Sequence, residues 1–215
     1  MKPTSIRLQS IKLLLVLNCF AFSGFASADT LDTKSLEEAL NQRDFQQVAK
    51  ILITRPQQDP EALAWLRSHR DDWNPPLMID LSFRLFSQLK VSPSKELVSE
   101  LGITYARAKN GFLIEKSECV NRNRQIQNQA DAISLLDNLI MGNLRPTKAV
   151  VLGWAQDSLT WAKKLHSERK IPAATWLCGS ENLRQENERM ASRLKTQEEI
   201  AAQIKLLLED PNIGN

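Results

Sequence analysis

The sequence has few of the residues on which enzyme chemistry most often depends. It contains two histidines, three cysteines and one tyrosine among 215 residues. It lacks the G-x-S-x-G, Walker, G-x-G-x-x-G and H-E-x-x-H patterns of known catalytic and nucleotide-binding sites. His69 and His166 do not lie at zinc-ligand spacing from each other or from a cysteine. The sequence therefore predicts a protein that is not an enzyme and that holds no metal ion or cofactor.

An excess of charge of one sign is also missing once the first residues are set aside. The whole chain has 28 lysines and arginines against 25 aspartates and glutamates. Residues 1–28 contain three of the basic residues and no acid, so the remaining residues have 25 of each. This balance argues against a strongly basic nucleic-acid-binding protein.

The first 28 residues have the pattern of a cleavable signal peptide. Lys2 and Arg7 precede an apolar stretch over 11–25, and Lys12 lies near its start. Ala26 and Ala28 are small residues at the positions that a signal peptidase recognises. We therefore expect cleavage after Ala28 and a periplasmic protein without a membrane span. Two alternatives stay open, a transmembrane anchor, which needs about 20 apolar residues, and a lipoprotein acylated at Cys19.

Export determines how the other two cysteines are interpreted. Once Cys19 is removed, Cys119 and Cys178 remain, and two thiols in an oxidising compartment most simply form one disulfide. Such a bridge closes a loop of about 60 residues and stabilises the fold by about 4 kcal/mol in the chain-entropy model. The alternative, a redox-active pair, lacks the C-x-x-C spacing.

The pattern of apolar residues predicts helices throughout residues 29–215. Prolines fall between apolar segments with helical spacing, and only six glycines remain after residue 28. Helix starts are expected near Ser35, Asp44, Asp59, Asn74 and Ser94. A sixth helix is expected through Cys119 to Gly142 and a seventh over 147–169. We expect an all-α fold of antiparallel helical hairpins over 29–179, followed over 180–215 by a long amphipathic helix capped by Ser180 and a short tail.

The segment 36–66 resembles a tetratricopeptide repeat. The pattern D-F-x-x-V-A-x-x-L over 44–52 looks like the second helix of such a repeat, and D-P-x-A-x-x-x-L over 59–66 looks like the turn into the next one. Four further stretches, W-L over 65–66, P-P-L-M over 75–78, R-L-F over 84–86 and A-R over 106–107, are similar to secreted bacterial proteins related to tetratricopeptide or Sel1-like repeats. This resemblance implies an irregular helical scaffold that binds proteins or peptides on a concave face.

The candidate binding residues lie around the turn that follows the third predicted helix. Trp65 and Trp73 flank Arg67 and Arg70 there, and such loops can present aromatic and charged side chains together. The alternative is that Trp73 folds back onto the fourth helix as a packing residue. Trp154 and Trp161 share one helix face and belong either to the core or to an aromatic groove.

The last helix, over 181–209, has an apolar seam that includes Met190, Leu194, Ile204 and Leu208. It packs along its own domain or forms a weak coiled coil with a second chain or a partner.

The leading functional hypothesis is a periplasmic scaffold or adaptor that binds another envelope protein or peptide. The alternatives are an inhibitor or immunity protein against a cell-wall hydrolase and, less favoured, a cell-wall-active enzyme using Glu100 or Glu181.

Overall fold

The computed structural model describes residues 30–209, so Ala26, Ala28 and Cys19 lie outside the described residues, as does the tail from residue 210. The described chain is all α, as predicted; outside the helices it contains one isolated β-bridge, between Cys119 and Leu183. The helices are α1 (Thr33–Asn41), α2 (Phe45–Ile53), α3 (Pro60–Ser68), α4 (Pro75–Val91), α5 (Lys95–Ser117), α6 (Arg124–Leu144), α7 (Lys148–Ser167), α8 (Thr175–Cys178) and α9 (Glu186–Glu209).

Three of the predicted helix starts are made by the expected side chains. Asp44 accepts a hydrogen bond from the Gln47 amide, Ser94 accepts one from Leu97, and Asp59 accepts from two amides of the first turn of α3. Each cap satisfies amide groups that have no partner inside the helix. The start of α4 also lies where Asn74 and Pro75 predict it, although the Asn74 side chain makes no capping hydrogen bond.

Three other predicted boundaries are wrong. The cap of α1 is Asp32, which accepts from the Ser35 amide, so the helix begins before Ser35. The cap of α6 is Asn123, so Cys119 lies in the connection that precedes this helix. Ser180 begins a 3₁₀ turn, and α9 starts only at Glu186. In each case more than one short polar residue lies near the boundary, so the local pattern offers several possible starts.

The long helix α5 lies at the centre of the described fold and contacts α4, α6, α7, α8 and α9. Two glycines permit its closest contacts. A Cβ at Gly102 would lie 1.9 Å from Cε2 of Trp154, and a Cβ at Gly111 would lie 2.7 Å from Cγ of Pro75. The Asn110–Gly111 pair lies inside the continuous helix α5, and Gly111 is where the first turn of α4 packs against it. The all-α prediction is confirmed, and the tetratricopeptide-like hairpins stay a prediction.

The last helix packs along α5 and α7 through one face. That face presents Arg193, Gln197, Ile200 and Ile204, all of them buried, at spacings of four, three and four residues. Leu194 and Leu208, which the sequence placed in the seam with Ile204, are 47% and 54% exposed. The contact face thus lies one residue away from part of the predicted seam and contains two polar side chains.

None of the helices between residues 30 and 209 has the length and apolarity to cross a membrane.

Candidate functional site

An apolar groove lies between the first turns of α5 and α7. Its volume is about 780 Å³, within the range in which proteins bind small molecules or short peptide segments. No acidic residue lines it, and its charged lining residue is Lys95. The lining residues are Pro93, Ser94, Lys95, Val98, Ser99, Ile103, Ala149, Val150, Gly153 and Trp154.

The groove exists because small residues let two helices lie close together. Trp154 is 5% exposed and rests on the α5 backbone at Gly102, where any larger residue would collide with the indole. A Cβ added at Gly153 would meet no atom within 4 Å, so this glycine leaves the wall of the groove open. Val150, on the same wall, is 41% exposed. Trp154 therefore forms the base of the groove, and aliphatic side chains such as Val150 form accessible walls.

The N-terminal ends of two helices meet at one end of the groove. Gly102 contacts Trp154, Arg107 binds Asp157 and Asn110 binds Ser158, so the two helices run in the same direction and begin at the same end. The amides of a first helical turn carry a partial positive charge. At α7 the side chain of the cap residue Thr147 accepts no capping hydrogen bond, and no acid lies in its first turn, whereas the first turn of α5 contains Glu96. An apolar ligand with a negative end fits this arrangement.

A buried polar centre lies at the opposite end of α5. Glu115 is completely buried, and its carboxylate accepts hydrogen bonds from the guanidinium of Arg43, the indole of Trp73 and the indole of Trp176, each at 3.1 Å. Burial raises the pKa of Glu115 to about 7, and the neighbouring Glu118 adds to the rise, while the three donors oppose it.

A second buried acid lies one turn further along the chain. Glu118 binds the Arg193 guanidinium at 2.7 Å and accepts a hydrogen bond from the Ala174 amide at 3.2 Å. Arg193 also donates to the carbonyl oxygens of Ile171 and Pro172, both at 2.9 Å. These contacts join α9 and the segment before α8 to the end of α5. The carboxylate of Glu118 and the guanidinium of Arg193 both have their polar atoms engaged in them. The arrangement is that of a structural ion pair.

The predicted disulfide is present beside this centre. Cys119 and Cys178 are bonded, with Cα atoms 5.2 Å apart. Since Glu118 precedes one cysteine and Trp176 lies close to the other, the bridge fixes the same region that the buried acids hold together.

The two candidate binding tryptophans lie in the core. Trp65 is 7% exposed and donates to Glu37, and Trp73 is 3% exposed and stacks on Trp161 with the ring centres 4.8 Å apart. In this conformation neither indole offers its face to a partner. The partners of Trp73 are on α5 and α7, which differs from the expected contact with α4.

The two candidate arginines lie near each other at the surface and share one acid. Arg67 binds both carboxylate oxygens of Glu100, at 2.7 and 2.9 Å, and Arg70 lies 3.9 Å from the same group. Glu100 is therefore engaged as an ion-pair partner. Glu181, the other acid considered for catalysis, is exposed in the 3₁₀ turn. Between residues 30 and 209 no group of three or more potential ligands could hold a metal ion.

Neither the groove nor the buried acids is predicted by the sequence pattern. One sequence feature could have indicated the groove. Val150 and Trp154 lie four residues apart with Gly153 between them, which places two apolar residues and an open position on one helix face. For Glu115 and Glu118, the one feature that could have indicated burial is that they lie close to Cys119 in the sequence. Comparison of the chain with protein-family models, with curated proteins and with solved structures finds no match.

Proposed function

We propose that this protein is a non-enzymatic scaffold or adaptor of the periplasm that binds an apolar segment of another envelope protein in the α5–α7 groove. The observation that carries the proposal is the groove itself, an accessible apolar surface on a disulfide-linked helical protein. Accessible apolar surface with a polar surround is typical of interaction sites.

Export is the second part of the proposal, and it rests on the signal-peptide pattern and on the Cys119–Cys178 bridge. Structural disulfides form in oxidising compartments such as the periplasm. N-terminal sequencing of the protein from the cell envelope should begin at Asp29. A retained Met1 or an acylated Cys19 would contradict this expectation.

Binding in the groove can be tested with a photoreactive amino acid at position 150. Val150 lies on the groove wall, and Ile53, which is 80% exposed at the end of α2, provides a control position outside the groove. Irradiation of cells should give an adduct of the chain with a different envelope protein from position 150 and not from position 53. Equal labelling from both positions, or no adduct with a different protein, would refute the proposal.

A further inference from the structure

The end of α9 carries an apolar surface that the described chain does not cover. Leu206, Leu207 and Leu208 are 66%, 39% and 54% exposed, although the same helix buries Ile200 and Ile204 against α5 and α7. Three consecutive exposed leucines are unusual at the end of a surface helix, because scattered single apolar residues are the norm.

The same end of α9 is negative. Glu209 is the last residue of the helix, Asp210 follows in the sequence, and the last turn contains no basic residue. The carbonyl groups of a last helical turn carry a partial negative charge of their own. Lys205 lies 3.7 Å from Glu209, and both side chains are largely exposed, so this pair offsets only part of the charge.

The groove has the complementary properties. Its walls are apolar, its charged lining residue is Lys95, and the first turns of two parallel helices meet at one end of it, where Glu96 on α5 offsets part of the positive charge. We infer that the α5–α7 groove of one copy of this chain binds the leucine-rich, acidic end of α9 from a second copy. The inference uses the groove of the proposed function, but it holds even if no envelope protein binds there.

The contact is small, so the association should be weak. Successive helix residues point about 100° apart, so one or two of the leucines enter the groove together with the helix end. They cover much less than the roughly 1,600 Å² of a standard stable interface. We expect a dissociation constant on the order of 100 μM. Sedimentation velocity of the purified protein, from about 10 μM to about 1 mM, should show a concentration-dependent rise in mass.

Two kinds of variant separate the two halves of the contact. Val150→Glu places a carboxylate on the groove wall, and Gly153→Glu does so from a position where a side chain meets no neighbouring atom, which protects the test if the first variant folds poorly. The double variant Leu206→Glu/Leu208→Glu alters the helix end. Each should reduce self-association at least tenfold, and Ile53→Glu, a matched exposed position, should leave it unchanged.

Mixing the two kinds of variant provides the decisive measurement. A groove variant retains an intact helix end, and a helix-end variant retains an intact groove, so the mixture should form a heterodimer that neither variant forms alone. A protein that stays monomeric at 1 mM, or variants that abolish association separately and do not restore it when mixed, would overturn the inference.

The photocrosslinking experiment distinguishes this contact from the proposed function. An adduct from position 150 with twice the mass of the chain reports the second copy, whereas an adduct of any other mass reports a different protein. Each result can therefore fail independently of the other.

Discussion

Replacing Glu115 with glutamine should remove a specific pH dependence of the stability. The carboxylate is completely buried, and burial raises its pKa from the ordinary value of 4.5 to about 7. Between these two pH values the folded protein holds a proton that the unfolded chain has released. The free energy of unfolding should therefore fall as the pH rises through this interval, and the contribution of Glu115 to stability should be greatest at or below pH 4.5.

The size of the effect follows from the shift. A change of one pKa unit corresponds to 1.36 kcal/mol, so a rise from 4.5 to about 7 gives about 3 kcal/mol. Glutamine cannot accept hydrogen bonds with both of its terminal atoms, and it therefore leaves one donor among Arg43, Trp73 and Trp176 without an acceptor. That loss costs about 1–3 kcal/mol, but it does not depend on pH over this interval.

Chemical denaturation at several pH values between 4.5 and 8 isolates the effect. The stability of the original protein minus that of Glu115→Gln should decrease by about 3 kcal/mol across the interval. The same substitution at Glu38, an acid with an exposed side chain, should show no comparable trend. A difference that stays constant or increases with pH would mean that Arg43 and the two indoles outweigh burial, and the reasoning would be refuted.

The remaining predictions concern the residues around the same centre. Replacing Cys119 and Cys178 with serine should lower the free energy of unfolding by about 4 kcal/mol, because the bridge closes a long loop; a loss below about 1 kcal/mol would contradict this account. Arg193→Met should cost about 3 kcal/mol, as measured by urea denaturation, because Glu118 stays buried and keeps only the more distant guanidinium of Arg189, at 3.7 Å. Trp73→Ala should cost about 3–5 kcal/mol, because the indole is buried and stacked; an unchanged melting temperature would contradict that packing.

The parts of the fold that the sequence predicted are those that depend on neighbours along the chain. A cap such as Asp44 or Ser94 binds an amide three residues away, so the local pattern contains both partners. The disulfide was predictable for a different reason, since the predicted cleavage after Ala28 would leave two cysteines to pair. The periodicity of α9 predicted a helix, but its contact face could not be derived, because two of the residues that it buries are polar.

The buried acids and the groove could not be predicted, because their partners are distant in the sequence. Glu115 and Arg43 are 72 residues apart, and Glu118 and Arg193 are 75 apart. Acids at helical spacing usually face solvent, and nothing in the pattern distinguishes these two from exposed ones such as Glu38. The groove likewise depends on how closely α7 approaches α5, and this approach is set by Gly102 and Trp154 together.

The two ends of α5 thus have opposite physical characters. At its C-terminal end two buried acids, their arginines and a disulfide join segments from both ends of the described chain. Well-packed apolar residues could stabilise such a junction equally well, but an arrangement that separated either acid from its arginine would leave a costly unpaired charge. We therefore interpret the centre as a device that fixes where the α1–α2 turn and α9 meet α5. At the N-terminal end the walls of the groove are held by a glycine–tryptophan contact and remain apolar and accessible. The groove is therefore formed by contacts between α5 and α7 themselves and is separate from the polar junction at the other end of α5.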